Sequence, residues 1–304
     1  MKLARYLLEY IAVRAVLALL VVVPNSLARK VAMLGSRVLF SCLPRLRNIG
    51  LRNLELAFPE LSIAERRRLL TQSFENFGRL IADFAQFPRA TPADLAARVD
   101  TSFLEAVARY RAAKGKGRGV IFVTPHLGNW EMLAFVFSAI FETVAYLARP
   151  LDNPFLERYT SRARSRFGNR PINKRDSILE GLAILDAGGS LGLLADINTL
   201  QRDGVFVPFF GHLACTTRAV AMLALRTDAI IVPVCCVWDT NHYRVLVGEL
   251  VEAVRSASYA KKNIMDTTAL YTAELEKFIR AYPGQWIWVH RRWKTRPSGQ
   301  PSLY

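Results

Sequence analysis

A chain of 304 residues, 52% of them hydrophobic, can bury the core of one large domain or two ordinary ones. Lys plus Arg number 41 against 25 Asp plus Glu, a net charge of +16 that points to an acidic partner: nucleic acid, an anionic membrane surface or a phosphorylated substrate. Composition speaks against a disulfide framework and a structural zinc, because Cys42, Cys215, Cys235 and Cys236 form no CxxC pair and stand at no ligand spacing with a histidine; this usage fits a reduced, cytoplasm-facing protein.

The first element is apolar from about Tyr6 to Val23, interrupted by Glu9 and Arg14. A spanning helix needs about 20 mostly apolar residues. This one is nearly long enough but carries two charges, and no small-x-small site marks it as a removable signal peptide. Lys2 and Arg5 precede it and Arg29, Lys30 and Arg37 follow, so flanking charge sets no orientation. The expectation is a membrane-anchoring helix that dips into or lies in the bilayer with both flanks cytoplasmic, residues 1–48 forming anchor and connection. A buried core helix is the alternative.

A short helix ending near Phe58-Pro59 comes next. Ser62 to Phe87 has helical periodicity, with Leu69, Leu70, Phe74, Phe77 and Leu80 at steps of three and four and a capping box at Ser62 and Glu65. Strands are then expected at 119–123, 143–148, 190–195, 230–237 and 243–247. Helices are expected at 127–141, 153–167, 175–187, 217–226 and 261–282. The alternation predicts an α/β fold, a largely parallel central sheet flanked by helices, over a catalytic domain of residues 49–304. In such sheets the active crevice lies at the carboxyl ends of the strands, which singles out His126, Arg149 and Asp196.

His126 ends the run VIFV-TP and opens HLGNWE. Five residues on a regular helix turn through about 140°, so His126 and Glu131 can meet only if the histidine is in the turn and the glutamate in the first helical turn. Glu131 would then fix the imidazole tautomer, and the other ring nitrogen would act as general base. Free amides of the helix start would hold an oxyanion, with Gly128 permitting close approach. No serine or cysteine nucleophile lies nearby, so direct attack of a substrate hydroxyl on an activated acyl carbonyl is the chemistry that fits. Taken alone, the spacing is short, and it reads more readily as a capping histidine before an ordinary first-turn glutamate.

Further segments follow in order: RNLELAFPE (52–60), HLGNWE (126–131), RPLDNP (149–154), AD (195–196), GVFVPFFG (204–211), TT (216–217), IVPV (231–234) and QWIWVHRRWKTRP (285–297). From about Leu51 to the C-terminus the chain resembles the late acyltransferases of lipid A biosynthesis, within the glycerolipid acyltransferase superfamily with its HxxxxD/E signature. The resemblance implies a bacterial inner-membrane enzyme with its catalytic domain on the cytoplasmic side. It implies acyl transfer from acyl carrier protein, or less often coenzyme A, to a hydroxyl of a lipid A precursor, without cofactor or metal. Partners would be acyl carrier protein, an anionic glycolipid and the membrane, and no nucleic acid.

By the same resemblance His126 is the base and Glu131 the carboxylate that orients it, while Asn129, Arg149, Arg164 and Asp196 bind substrate. Asn129 would position the thioester oxygen. Arg149 would meet a phosphate or the phosphopantetheine arm, or be a solvated strand-end arginine. Arg164 would be functional, or part of a solvated basic face with Arg158, Arg162 and Arg166. Asp196 lies in LADINTL, where Asn198 stands at a position that is often a second aspartate. GVFVPFFG would line an acyl groove or be core, and Thr216-Thr217 would cap the next helix. Trp286, Trp288 and Trp293 beside Arg291, Arg292 and Lys294 suit a membrane interface, or base stacking on a nucleic acid. His290 would be structural. Two rival functions remain: acylation of another lipid (an ornithine lipid, a phosphatidylinositol mannoside or a lysophospholipid), and a non-enzymatic basic protein binding membrane or nucleic acid.

Overall fold

The computed structural model describes residues 2–100, 102–115, 117–148, 150–173, 177–256 and 260–304. Four helices come first: α1 (Lys2–Val22), α2 (Asn25–Ser41), α3 (Pro44–Ala57) and α4 (Ile63–Gln86). Pro24 breaks the chain between the first two, and α3 runs unbroken across the expected boundary at residue 48. The capping box forms as expected: the Glu65 amide donates to the Ser62 hydroxyl, and the Ser62 amide and hydroxyl donate to the Glu65 carboxylate. Helix α2 approaches α4 at Gly78, where a Cβ would collide with the Ala32 carbonyl. Phe40 stacks on Phe74 with ring centroids 4.5 Å apart.

No helix among the described residues is long and apolar enough to cross a membrane. The two charges that interrupt α1 are exposed but reach side chains of the following domain. Glu9 accepts from the Asn153 amide at 3.1 Å, and the Arg14 guanidinium lies 4.5 Å from the Tyr159 ring centroid. Leu17 and Leu20 are buried against α4, while Leu8, Ile11, Leu19 and Val22 form an exposed stripe. Helix α2 carries a matching exposed stripe of Leu27, Val31, Leu34 and Val38. Helix α2 is thus amphipathic, with its period set by the 3.6-residue turn, whereas α1 is apolar on most of its sides, with Leu3, Leu7, Val13 and Val16 exposed as well.

Two helices not foreseen in the sequence, α5 (Pro92–Ala96) and α6 (Ser102–Lys114), lead to the sheet. The alternating part runs β1 (Val120–Thr124), α7 (Trp130–Ile140), β2 (Ala145–Ala148), α8 (Pro154–Arg164), β3 (Arg170–Asn173), α9 (Ser177–Asp186) and β4 (Ser190–Leu194). Then come β5 (Gly204–Phe209), β6 (His212–Thr217), α10 (Ala219–Thr227), β7 (Ile230–Asp239), β8 (His242–Val247) and α11 (Ala260–Ala281). The order β3-β2-β4-β1-β7-β8 is parallel except for the antiparallel edge strand β8. The central strands are apolar runs covered on both faces, as a parallel sheet requires.

The segment GVFVPFFG is β5 and the turn of a separate hairpin, closed at Phe210 and Gly211, both with positive φ. Val205, Val207, Phe209 and Phe210 are buried, the two phenylalanines in the main core. Thr216 and Thr217 end β6; the N-cap position of α10 is Arg218, but the Thr217 hydroxyl accepts the Ala219 amide at 3.3 Å and so satisfies the first amide of that helix, as expected of the pair in part. The C-terminal tryptophans are also core: Trp286, Trp288 and Trp293 are each at most 1% exposed, and Arg292 is fully buried. Trp286 and Trp288 pack edge-to-face with Phe58, Phe209 and Phe210, and Trp293 lies tilted against Phe209, so this segment is no membrane interface. The expected aromatic belt fails because the basic residues between the tryptophans turn elsewhere, Arg292 donating to the Cys215 carbonyl and the Thr216 hydroxyl.

Candidate active site

Strands β1 and β4 are parallel neighbours, with Thr124 opposite Leu194. His126 and Asp196 each lie two residues beyond that pair, so the register delivers both to the same end of the sheet. Asp196 Oδ1 lies 2.7 Å from His126 Nδ1. Its Oδ2 accepts the His126 backbone amide and the Trp286 indole N–H, both at 2.7 Å. The carboxylate is fully buried, while the imidazole keeps 19% of its side-chain exposure. A carboxylate on Nδ1 assigns the proton to that nitrogen and leaves the Nε2 lone pair free.

Burial alone would lower the His126 pKa, but the Asp196 charge, its hydrogen bond and the Glu131 charge outweigh it and raise the pKa above the ordinary value. Burial pushes Asp196 the other way. The imidazole charge, the hydrogen bonds from the ring and the indole, and the His126 amide hold it below the usual carboxylate range. The two shifts agree in sense: each group favours the charged form of the other.

The turn after His126 is tied down on both sides. Gly128 donates to the Gln285 carbonyl at 3.1 Å and Asn129 to the Cys236 carbonyl at 2.7 Å. Gly128 has φ +62°, and a Cβ there would run into the Cys236 carbonyl, so the position accepts no side chain. Asn129 caps α7, its Oδ1 accepting from the Met132 amide at 2.9 Å. The Trp130 and Glu131 amides remain without a fixed acceptor among the described residues.

Glu131 lies in the first turn of α7, and its carboxylate pairs with an arginine rather than with His126. Arg164, at the end of α8, donates to it through Nε at 3.0 Å and Nη2 at 2.5 Å. This is the bidentate fork that guanidinium and carboxylate form best. Burial lowers the Arg164 pKa and the Glu131 hydrogen bond more than restores it, so the guanidinium stays cationic. Tyr146, the second residue of β2, borders the pair; burial pushes its hydroxyl to about 12. The sequence reading that placed Glu131 on the imidazole is therefore corrected: Asp196 occupies that position, because strand register carries it there while Arg164 draws Glu131 aside. Asp196, expected to bind substrate, is instead buried beneath the histidine.

Behind the turn lies a second buried cluster. Asp83 of α4 is fully buried and accepts Arg29 at 2.9 and 2.8 Å. It also accepts the Tyr243 hydroxyl, which in turn receives the Asn129 Nδ2 at 3.1 Å. Both ends of the Asn129 amide are thus engaged, so it holds the motif in place. Arg149 lies outside the described residues. His290 is structural, as expected, its Nε2 accepting the Asn198 amide at 3.0 Å.

Sequence reasoning missed Trp286, Tyr243 and Asp83. Asp83 had a visible signal, an acidic residue between Leu80 and Phe84 on the apolar face of α4. Trp286 and Tyr243 had none, since only tertiary packing brings them to the site.

A model of bacterial lipid A biosynthesis acyltransferases matches residues 1–295. The lipid A biosynthesis lauroyltransferase of Escherichia coli K12 is 29% identical over 304 residues, covering 99% of this chain and 95% of that one. The palmitoleoyltransferase of the same strain is 27% identical over 274 residues, covering 86% and 83%. Its myristoyltransferase is 26% identical over 264 residues, covering 85% and 78%.

Proposed function

The chain belongs to the bacterial lipid A biosynthesis acyltransferase family, and from that premise we propose that it moves an acyl chain from acyl carrier protein, or coenzyme A, to a hydroxyl of a lipid A precursor with His126 as general base. The observation that carries this reading is the 2.7 Å contact between His126 Nδ1 and the buried Asp196 carboxylate at the open end of the sheet. His126 Nε2 takes the proton of the acceptor hydroxyl as its oxygen attacks the thioester carbonyl carbon. Asp196 stabilises the imidazolium that forms. The Trp130 and Glu131 amides, at a helix N-terminus, suit the developing oxyanion. Collapse of the tetrahedral intermediate breaks the carbon–sulfur bond, and the imidazolium returns the proton to the departing thiolate. The Glu131–Arg164 pair fixes the first turn of α7 against α8, and so holds those amides in place.

The exposed stripes of α1 and α2 support a monotopic association with the bacterial inner membrane, on its cytoplasmic side, with Leu8, Ile11, Leu19 and Val22 entering the acyl region. Lys30 and Arg37 are exposed on α2, placed for anionic headgroups and a phosphorylated glycolipid.

The test is a mass-spectrometric assay of detergent-solubilised protein. Acyl carrier proteins charged with several chain lengths are offered with a lipid A precursor and, separately, with lysophosphatidate. A gain of one acyl group on the glycolipid, lost in His126→Ala, is the expected result. Acylation of the glycerolipid alone would overturn the acceptor assignment, and full turnover by His126→Ala would overturn the base.

A further inference from the structure

Asp196 holds its charge in a fully buried place, and three N–H donors converge on it. Two belong to His126, the residue it serves. The third is the Trp286 indole, from a segment ninety residues away in sequence. We infer that Trp286 is a positioning residue of the acyl-transfer reaction, setting the orientation and basicity of His126 through Asp196; this rests on His126 acting as the base.

The indole has no freedom to leave. Trp286 is 1% exposed and its ring stands edge-on to Trp288 at 4.6 Å and near Phe209 at 5.9 Å. Its carbonyl accepts the Ser73 hydroxyl, and its backbone bridges Leu127 beside the histidine. The next residue, Ile287, donates its amide to the His126 carbonyl at 3.2 Å. Segment 285–287 therefore grips the His126 turn through the backbone and the Asp196 carboxylate through the indole.

The consequence is electrostatic as well as geometric. With two donors on Oδ2, the carboxylate plane is fixed and Oδ1 is presented to Nδ1. An N–H on a carboxylate also withdraws negative charge from it. Loss of that donor leaves a buried lone pair unpaired and makes the carboxylate a stronger base. The negative potential at the imidazole then grows, and His126 binds its proton more tightly.

Trp286→Phe removes the N–H and keeps an aromatic ring. The full-length protein in detergent, labelled with 15N-histidine, is titrated by NMR, with His126→Ala assigning the His126 resonances. The expected result is an upward move of the His126 midpoint in Trp286→Phe. The acid limb of kcat/KM should move with it, and kcat/KM at neutral pH should fall roughly tenfold, the rate equivalent of one hydrogen bond to a charged group. Trp288→Phe is the control. Trp288 is equally buried, but its indole donates to the Pro283 carbonyl at 2.7 Å, so this variant should lose stability without moving the midpoint. If Trp286→Phe does not fold, Trp286→Met, which likewise has no N–H or O–H donor and adapts its shape to the indole cavity, enters the same titration. An unmoved midpoint in a folded Trp286 variant overturns the inference, as does an equal move in Trp288→Phe. Full turnover by His126→Ala instead overturns the catalytic reading, an outcome the NMR midpoint keeps separate.

Discussion

Arg164 grips Glu131 through two nearly parallel N–H···O bonds, of 3.0 and 2.5 Å, and the Glu131 side chain is only 9% exposed. A pair this enclosed is costly to split. Removing one partner strands a desolvated charge, at about 3–5 kcal/mol, whereas removing both is far milder. Glu131→Ala and Arg164→Ala should each lower the unfolding free energy by several kcal/mol. The double variant should be markedly less destabilised than the sum of the two. Additive losses in denaturant unfolding would mean that the two charges act independently.

Asp196 differs from Glu131 in what it touches, and activity should register the difference. Asp196→Asn keeps the shape of the side chain, but its amide can offer His126 Nδ1 a donor in place of an acceptor, which disfavours the reactive tautomer. Turnover should fall on the order of a thousandfold or more. Glu131→Gln preserves the Nδ1 partner and should leave the pH at which His126 titrates nearly in place, since the Glu131 charge is the last of the influences on it. A larger shift of the acid limb in Glu131→Gln than in Trp286→Phe would return the orienting role to Glu131.

Much of this site is legible in the sequence alone. His126 announced itself by ending an apolar strand, and Asp196 by ending another; the parallel register then places them opposite each other, two residues past Thr124 and Leu194. Strand pairing, however, is not written in local pattern. Nothing in HLGNWE indicates that β4 rather than β2 lies beside β1, so the nearer carboxylate in sequence, Glu131, reads as the nearer one in space. The tryptophans of WIWVHRRWK misled for a related reason. Amphipathic composition is shared by membrane belts and by cores whose arginines are satisfied by buried carbonyls, as Arg292 is. The short strand β3 and the hairpin β5–β6 escaped because their apolar runs are brief and their pairing is tertiary.

The apolar stripes of α1 and α2 carry a separate expectation. Leu8→Glu with Leu19→Glu places two charges on the exposed side of α1, away from Leu17 and Leu20, which pack against α4. Surface changes of this kind leave folding nearly untouched. Sedimentation with vesicles containing anionic lipid should show binding by the unaltered protein and several-fold weaker binding by the variant. Thermal unfolding in detergent should be the same for both. Equal vesicle binding would remove α1 from the membrane contact.

The His126–Asp196 pair makes activity and stability run in opposite directions with pH. The folded His126 pKa is raised above the ordinary 6.5, so its stabilising contribution is fully present below that value and is lost as pH rises through the folded pKa. Asp196 is depressed below the ordinary 3.8, so its own contribution holds above that value and disappears only as pH falls through the lower folded pKa. Catalysis needs the neutral imidazole, and kcat/KM should therefore climb with an acid limb above the ordinary histidine value, in the window where the stabilisation fades. Chemical denaturation of the unaltered protein and His126→Gln from pH 5.5 to 9 gives the stability difference, and the acyl-transfer rate over the same range gives the limb. The difference should be widest at the acid end and narrow as the rate rises. A stability difference that grows with pH would mean that His126 is neutral throughout, and that Asp196 does not hold an imidazolium in the free enzyme.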